Sequence, residues 1–415
     1  MVPKGWEKNS LDSLFEFKNG LNTEKEQYGN GYKFVNVMDV FRNDILTESK
    51  IIGRVQVTDK QLEGYQLKYG DVLFNRTSET FDEIAIAAIY LDNAIATFGG
   101  FVIRARPKGN QIDPAYSVFL FQSKSYRSQV VKLGQGAIRA NIGQKDLARV
   151  CILVPPLAEQ KKIAQILSTW DKAISVTEKL LTNSQQQKKA LMQQLLTGKK
   201  RLLDENGVRF SGDWNSSKLG DLFNFKKGKG LSKSDLSESG INKCILYGEL
   251  YTKYAEIAYE VISRTNSSDG QLSEPGDILL PASTTTSGID LANATALSEG
   301  GILLGGDINI LRPKVRLSSP FLAYFLTHMK KNEISSRAQG ITIIHLYGGD
   351  LKSIDIVLPS TVQEQKKIAT VLSAADAEIS TLEKKLACLR DEKKALMQQL
   401  LTGKRRVKVD EAVTE

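Results

Sequence analysis

Polar side chains follow a strand-like run in each half of the chain. The run DVLF after Gly70 leads into NRTS, and the run DILL after Gly276 leads into PASTTTS. Hydroxyl groups and an arginine guanidinium at the end of a strand can donate hydrogen bonds to phosphates or to base edges. An ordinary hydroxyl-rich turn would have the same composition, so both interpretations stay open. The candidate nucleic-acid ligands in these segments are Arg76, Thr77, Ser78, Thr284, Thr285, Thr286 and Ser287.

A second pair of polar loops precedes the last strand-like run of each half. These loops are QGAIRANIGQKDL and QGITIIHLYGGDL. The first contains Arg139, Asn141 and Lys145, which are suitable readers of bases or phosphates. The second is more apolar and offers mainly Thr342 and His345. These differences predict that the two halves recognise different targets.

Motifs for catalysis are absent from the sequence. There is no GxxxxGK phosphate loop, no GxGxxG after a strand and no GxSxG elbow. The charges at 391–394 could suggest nuclease carboxylates, but they lie within a helical pattern, which favours solvated helix charges. The three cysteines and two histidines lack the spacing of a metal site, so we expect reduced thiols.

The elements that must position these residues are present in two copies. The stretch KKALMQQLLTGK occurs at 188–199 and again at 393–404, and EQKKIA occurs at 159–164 and 364–369, both with a spacing of 205 residues. Fainter matches run through the preceding segments in the same order. Between them the halves diverge, and YGNGYKFVNVMDVFRND has no counterpart in the second half. This pattern predicts two similar globular domains, each followed by a helix, with different surfaces.

The two helical stretches carry an apolar seam. Apolar residues step by four and three over more than four heptads, which is typical of a coiled coil. In the first copy Thr177, Ser184 and Lys188 make the seam poorer. A plain dimerisation or scaffold coiled coil would explain the seam, but identity at exposed positions such as Gln193 and Gln398 favours a partner that docks twice. The candidate seam and docking residues are Ile163, Leu167, Ile174, Leu181, Leu191, Leu195, Ile368, Leu372, Ile379, Leu386, Leu396 and Leu400.

The charge of the chain is concentrated in these helices. The formal net charge is +9 over 415 residues, and the segments 157–202 and 359–408 carry +6 and +5, so the globular halves are close to neutral. If the halves bind nucleic acid, their basic residues are gathered on one face or a partner supplies much of the phosphate neutralisation. The longest apolar run, which begins at Ile84, is too short to cross a bilayer, and the chain starts without an apolar signal core. We therefore expect a cytoplasmic protein without a membrane partner.

Several motifs together resemble a known family. Each half opens with a tryptophan that leads to FEFKNG in the first half and FNFKKG in the second. The matching strand starts are YGDVLFNRTS and PGDILLPAST, and the segments that enter the helices are LVPPLAEQKKIAQIL and VLPSTVQEQKKIATVL. The helices end with ALMQQLLTGKKR and ALMQQLLTGKRR. This set, which covers essentially the whole chain, resembles the specificity subunit of type I restriction-modification systems. The lysines of the two openings, Lys18 and Lys226, join the candidate DNA ligands.

Short strand-like runs separated by Gly, Pro, Asn and Asp, with a helical stretch in each half, predict an α+β fold. The resemblance implies two pseudo-symmetric target-recognition domains, separated by two long helices that form an antiparallel coiled coil. The expected boundaries are 1–155 and 203–358 for the domains, 156–202 and 359–408 for the helices, and 409–415 for a tail. Each domain would read one half of a bipartite, asymmetric site in double-stranded DNA, and the helices would set the gap between the halves.

The resemblance also implies a non-catalytic chain with catalytic partners. Two methyltransferase subunits would dock on the helices and methylate adenines with S-adenosylmethionine, and motor-nuclease subunits would supply ATP- and Mg-dependent cleavage. No cofactor is expected on this chain. Two other readings remain: a coiled-coil scaffold that binds only protein, and a specificity chain of a methylation-only or type II-like system.

Overall fold

The computed structural model describes residues 2–409, so 410–415 of the expected tail lie outside the described residues. The chain divides into two compact units. Unit 1 comprises Met1–Glu178 with Lys384–Glu415, and unit 2 comprises Lys179–Glu383. The two division points, after Glu178 and after Glu383, lie 205 residues apart, which is the period of the sequence repeat.

Unit 1 is built on a five-stranded sheet in the order Phe15–Asn19, Val102–Pro107, Val72–Asn75, Ala87–Tyr90, Ile45–Leu46. Its last pair is parallel and the others are antiparallel. The remaining strands are Glu7–Ser10 with Cys151–Val154, Thr77–Ser78 with Ala140–Asn141, and Arg54–Val55, Tyr28–Val35 and Ala96–Phe98. The shorter α-helices are Leu11–Leu14, Val37–Arg42, Asp59–Tyr65, Pro114–Leu120, Lys124–Leu133 and Gln144–Ala148.

Unit 2 repeats this plan with the same strand order and directions. Its five-stranded sheet has the order Phe223–Lys227, Ile308–Pro313, Ile278–Pro281, Thr295–Leu297, Ile257–Ala258. The remaining strands are Trp214–Lys218 with Asp355–Pro359, Ser283–Thr284 with Ile344–His345, and Arg264–Thr265, Asn242–Ile245, Leu303–Leu304 and Gln271–Leu272. The shorter α-helices are Leu219–Leu222, Glu249–Thr252, Ser319–Met329, Lys331–Ser336 and Gly348–Leu351. The α+β class predicted from the sequence is confirmed.

The two long helices span Leu157–Leu195 and Val362–Leu400, 39 residues each. They end earlier than the expected limits at 202 and 408. Each helix is followed by a turn that contains a glycine, Gly198 or Gly403, whose φ angles are +69° and +67°. In the first of these turns the N–H of Lys200 donates to the carbonyl of Gln194 at 3.1 Å, and the second turn repeats this bond. Glycine is favoured there because a left-handed φ is strained for residues that have a Cβ atom.

Within each unit, segments of the two long helices run antiparallel. In unit 1, Asp171 forms an ion pair with Lys393, and Glu178 accepts a hydrogen bond from Arg390 at 2.7 Å. In unit 2 the polar seam residues have partners of the same kind. Lys188 pairs with Asp376, and Ser184 donates to Glu378 at 3.0 Å. All twelve candidate seam residues are buried or half-buried.

The Glu-Gln pair that begins the first long helix anchors it to unit 1. Glu159 accepts a hydrogen bond from the indole N–H of Trp6 at 2.8 Å and forms an ion pair with Arg406. The side-chain oxygen of Gln160 accepts a hydrogen bond from the backbone N–H of Asp113 at 2.8 Å. The first copy of the EQKKIA motif therefore joins the start of the first long helix to two residues of the globular domain, Trp6 and Asp113. It also joins that helix to Arg406, which follows the second long helix.

The second copy makes the equivalent contacts within unit 2. Glu364 is almost fully buried and accepts two hydrogen bonds from Arg201, at 2.5 and 2.6 Å. Gln365 accepts a hydrogen bond from the backbone N–H of Ser318 at 2.9 Å. One contact differs, because the buried indole N–H of Trp214 finds no acceptor among residues 2–409. Glu364 therefore depends on its arginine more than Glu159 does.

Candidate nucleic-acid interface

The polar segments identified in the first half are joined by their backbones. The N–H of Arg76 donates to the carbonyl of Phe101 at 2.9 Å, and the carbonyl of Arg76 accepts from the N–H of Ile142 at 3.0 Å. The short strand Thr77–Ser78 pairs with Ala140–Asn141. We call the backbone formed by 76–78, 101 and 139–142 the loop platform of unit 1.

Unit 2 has the same arrangement at the matching positions. The N–H of Ala282 donates to the carbonyl of Asp307 at 2.7 Å, and its carbonyl accepts from the N–H of Leu346 at 2.9 Å. The strand Ser283–Thr284 pairs with Ile344–His345. Residues 282–284, 307 and 343–346 form the loop platform of unit 2. The two halves therefore present different side chains from one backbone design.

A glycine closes the tight loop of each platform. Gly136 and Gly340 have φ angles of +126° and +124°. A Cβ atom at either position would lie 2.1 Å from a backbone carbonyl oxygen, that of Arg139 or of Ile343. No larger residue fits, which explains why both loops have a glycine at this position.

The unit 1 platform exposes cationic and amide side chains. Arg139 is exposed and forms an ion pair with exposed Glu79 at 3.1 Å. Asn141 is exposed and donates from its amide to the carbonyl of Arg139 at 3.0 Å. Arg76 and Lys145 are exposed, so both can reach a ligand.

Three other candidates in unit 1 are less available. Ser78 is buried, and its hydroxyl donates to Glu83 at 3.3 Å. Thr77 is half-buried. Lys18 is held by the carbonyl of Gly64 at 2.7 Å and lies over the ring of Tyr65. These contacts indicate that Ser78 and Lys18 support the structure around the platform.

A buried cation lies directly across the sheet from Lys18. Arg104 pairs with Lys18 between neighbouring strands and is only 3% exposed. Burial lowers the pKa of Arg104, and the nearby charge of Arg106 lowers it further. The matching position in unit 2 is the apolar Ile310, so this cation belongs to unit 1 only.

The hydroxyl-rich segment of unit 2 is mostly engaged in its own turn. Thr284 is buried and its hydroxyl lies 2.9 Å from that of Thr286, which also bonds to Asp290. The Ser287 hydroxyl accepts a hydrogen bond from a backbone N–H as a helix cap. Thr285 is exposed, and its hydroxyl has no partner among the described residues. Thr285 is therefore the best placed of this group to contact a ligand.

A basic pocket of about 230 Å³ adjoins the unit 2 platform. Three lysines line it, Lys226, Lys227 and Lys352, against one carboxylate, Asp307, and His345 and Tyr347 line it as well. The rings of His345 and Tyr347 stack with their centroids 6.2 Å apart. Thr342 is exposed on the same loop as His345. Lysines beside stacked rings are groups that phosphates and bases can contact.

Sequence reasoning missed an apolar cavity of about 560 Å³ beside the unit 1 platform. It is lined by Met38, Phe41, Ile86 and Phe101, with Arg139 at the platform loop. Met38 and Phe41 belong to the segment that has no counterpart in the second half. That divergence was visible in the sequence, but the proximity of the segment to the platform was not.

The comparisons with known proteins agree with this two-unit plan. The sequence model of the family described as "Type I restriction modification DNA specificity domain" matches residues 3–183 and 211–389, one match in each half. The chain belongs to this family. The resemblance found in the sequence motifs is confirmed.

The related proteins and structures cover between 74% and 98% of the chain. The sequence is 28% identical over 423 residues to a Methanocaldococcus jannaschii protein assigned as the MjaX type I restriction enzyme specificity subunit, covering 98% of this chain and 95% of that one. It is 27% identical to the MjaVIII specificity subunit of the same organism, over 74% of each chain. The fold is similar to the crystal structure of a type I restriction-modification S subunit from M. genitalium, with a TM-score of 0.58 at 18% identity over 96% of each chain.

The described residues contain no group of three His, Cys, Asp or Glu side chains that could hold a metal ion. No helix within 2–409 combines the length and apolar character needed to cross a membrane.

Proposed function

We propose that this chain is the DNA-sequence specificity subunit of a type I restriction-modification complex and is itself non-catalytic. Each unit would read one half of a bipartite, asymmetric site in double-stranded DNA. The observation that carries this proposal is the loop platform, whose hydrogen bonds are the same in both units while its side chains differ. A protein that reads two unlike sequences with one scaffold needs this combination.

We also propose that the long helices form an antiparallel coiled coil between two target-recognition domains and set the gap between the half-sites. The ion pairs between antiparallel helix segments within each unit support this.

Two methyltransferase subunits would dock on the repeated helix ends. A groove of about 810 Å³ in unit 1 supports the proposal, because seven of its fifteen lining residues belong to the repeated stretch KKALMQQLLTGK. Met397 and Leu401 give the groove an apolar part, and six cationic side chains line it against one carboxylate, Asp171. This composition suits a partner segment with apolar and acidic side chains.

The chemistry would belong to the partners. S-adenosylmethionine would be bound by the methyltransferase subunits, and ATP and Mg by motor-nuclease subunits. The near-neutral globular halves are consistent with partners that supply part of the charge needed to bind DNA.

A domain exchange tests the proposal. We expect that replacing Met1–Val154 with the equivalent domain of a relative changes one half of the methylated sequence and leaves the other half and the gap unchanged. The measurement is a genome-wide map of N6-methyladenine in cells that express the chain with its cognate methyltransferase. Absence of any bipartite motif with the wild-type chain would favour a scaffold that binds only protein.

A further inference from the structure

One position of the loop platform carries opposite chemistry in the two units. Phe101 and Asp307 each follow a Gly-Gly pair, each precede the matching strand of the five-stranded sheet, and each offer a backbone carbonyl to the next platform segment. The two backbone carbonyls therefore hold equivalent places in the two platforms, although Asp307 has a φ of +60° and Phe101 does not share this left-handed backbone.

Phe101 is an exposed aromatic side chain at the edge of the apolar cavity of unit 1. It is 64% exposed, and Met38, which lines the same cavity, is 49% exposed. Exposing large apolar groups together is unfavourable in water unless a ligand covers them. Thr77 and Arg139 also line the cavity and provide hydrogen-bond donors beside it. The carboxylates of Glu83 and of Glu79, the ion-pair partner of Arg139, line it as well. An apolar surface with such donors suits the methyl group of thymine, the apolar feature of the major groove.

Asp307 is a carboxylate in a basic pocket. Its side chain is 43% exposed, one oxygen accepts a hydrogen bond from the hydroxyl of Ser283 at 3.1 Å, and the other lies 3.8 Å from the ammonium of Lys227. A carboxylate repels DNA phosphates, but it can accept a hydrogen bond from the exocyclic amino group of a cytosine. The neighbouring Lys226 and Lys352 line the same pocket and offset that repulsion.

We propose that the position occupied by Phe101 and Asp307 reads one base in each half-site. Phe101 contacts the 5-methyl group of a thymine in the half-site of unit 1. Asp307 accepts a hydrogen bond from the exocyclic amino group of a cytosine in the half-site of unit 2. This inference rests on the proposed function and adds to it the two bases and the residues that read them.

The first test is Asp307→Asn. Asp307 has a φ of +60°, and asparagine tolerates this left-handed backbone, so the variant should keep the platform. We expect discrimination in favour of cytosine to fall roughly 5- to 150-fold at one base of the second half-site. The methylation map of cells expressing the variant with the cognate methyltransferase measures this. The first half-site and the gap should stay unchanged.

The matched control is Asp269→Asn, an exposed carboxylate of the same unit that lies 3.7 Å from Lys229. It should leave the motif unaltered. A wild-type map that shows a bipartite motif, combined with an unaltered motif for Asp307→Asn, would overturn the inference and leave the proposed function standing. So would a second half-site without cytosine.

The second test removes only the methyl group. Each thymine of the first half-site is replaced in turn by deoxyuridine, and binding of the complex with the methyltransferase is measured. We expect wild type to lose affinity about 3- to 10-fold at one position, as for a single buried methyl group, and Phe101→Ser to show no such loss. Ile52→Ser, at another exposed apolar side chain of unit 1, is the control and should respond as wild type does. Equal affinity at every substituted thymine, or a half-site without thymine, would refute the role of Phe101.

Discussion

At the scale of single residues, two arginines that follow the long helices neutralise buried glutamates. Arg201 pairs with Glu364 in unit 2, and Arg406 pairs with Glu159 in unit 1. Glu159 also accepts the hydrogen bond of Trp6. The two ion pairs occupy equivalent positions in the repeat, but the stability of Glu364 depends more on its arginine than that of Glu159 does.

Arg201→Gln should destabilise unit 2. Glu364 is 1% exposed, and removing its cation leaves a buried charge uncompensated, so we expect a loss of about 3 kcal/mol. Native-state hydrogen exchange of the unit 2 amides measures this loss. The control is Lys199→Gln, at an exposed lysine, which should change stability by less than about 0.5 kcal/mol.

Two comparisons decide whether the buried charge is the cause. Adding Glu364→Gln to Arg201→Gln should restore much of the stability, because it removes the unpaired charge. Arg406→Gln should have a smaller effect on unit 1, because Trp6 still donates to Glu159. Equal losses for the Arg201 and Lys199 variants would contradict this account.

At the scale of elements, the repeated helix ends pack within their units, and we propose that they also dock a partner subunit. Leu191, Leu195 and their equivalents Leu396 and Leu400 are buried or half-buried in their units. The lysines at 189 and 394 are exposed, and Lys394 lines the groove of unit 1. Packing explains why the apolar positions are alike, whereas the exposed positions require another reason. Docking of the same partner on each copy supplies one.

Reversing the charge of one exposed lysine in each repeated helix end should impair docking one site at a time. We expect Lys394→Glu to weaken binding of one methyltransferase subunit at least about 10-fold, because the added carboxylate repels an acidic partner segment. Lys189→Glu should do the same at the other copy, and the double variant should lose both subunits. Native mass spectrometry counts the bound subunits. The control variants Lys384→Glu and Lys179→Glu, at exposed lysines outside the groove, should retain two methyltransferase subunits. Two bound subunits on the double variant of Lys394 and Lys189 would rule out docking at the helix ends.

At the scale of the whole molecule, the two units divide both long helices at equivalent points. The divisions after Glu178 and Glu383 are one repeat period apart. A helical segment of the same length inserted at each of the two points would lengthen both long helices equally. It would leave every contact within either unit in place.

We expect one added heptad at each point to lengthen the gap between half-sites. Seven helical residues add about 10 Å, which corresponds to about three base pairs. The half-sites themselves should not change, because the loop platforms are untouched. The methylation map of the variant measures gap length directly. Insertion into one helix alone is the control and should impair assembly, and an unaltered gap in the double insertion would refute the proposed spacing role.

The sequence by itself determined the family, the α+β class and the duplicated plan, because repeated letters and heptad spacing are local properties of the chain. It also identified Arg139, Asn141 and Lys145, which are exposed in the structure. Whether these and the other candidates contact DNA remains a prediction.

Only the tertiary structure decided which candidates are available and what stands beside them. Ser78 and Thr284 have the hydroxyl groups that a DNA reader needs, yet both are buried in contacts of their own. Phe101 and Asp307 carry no motif, yet the fold places them at equivalent points of the two platforms. Burial and adjacency between segments distant in sequence depend on how strands pair and loops close, and no local pattern of residues records those distances.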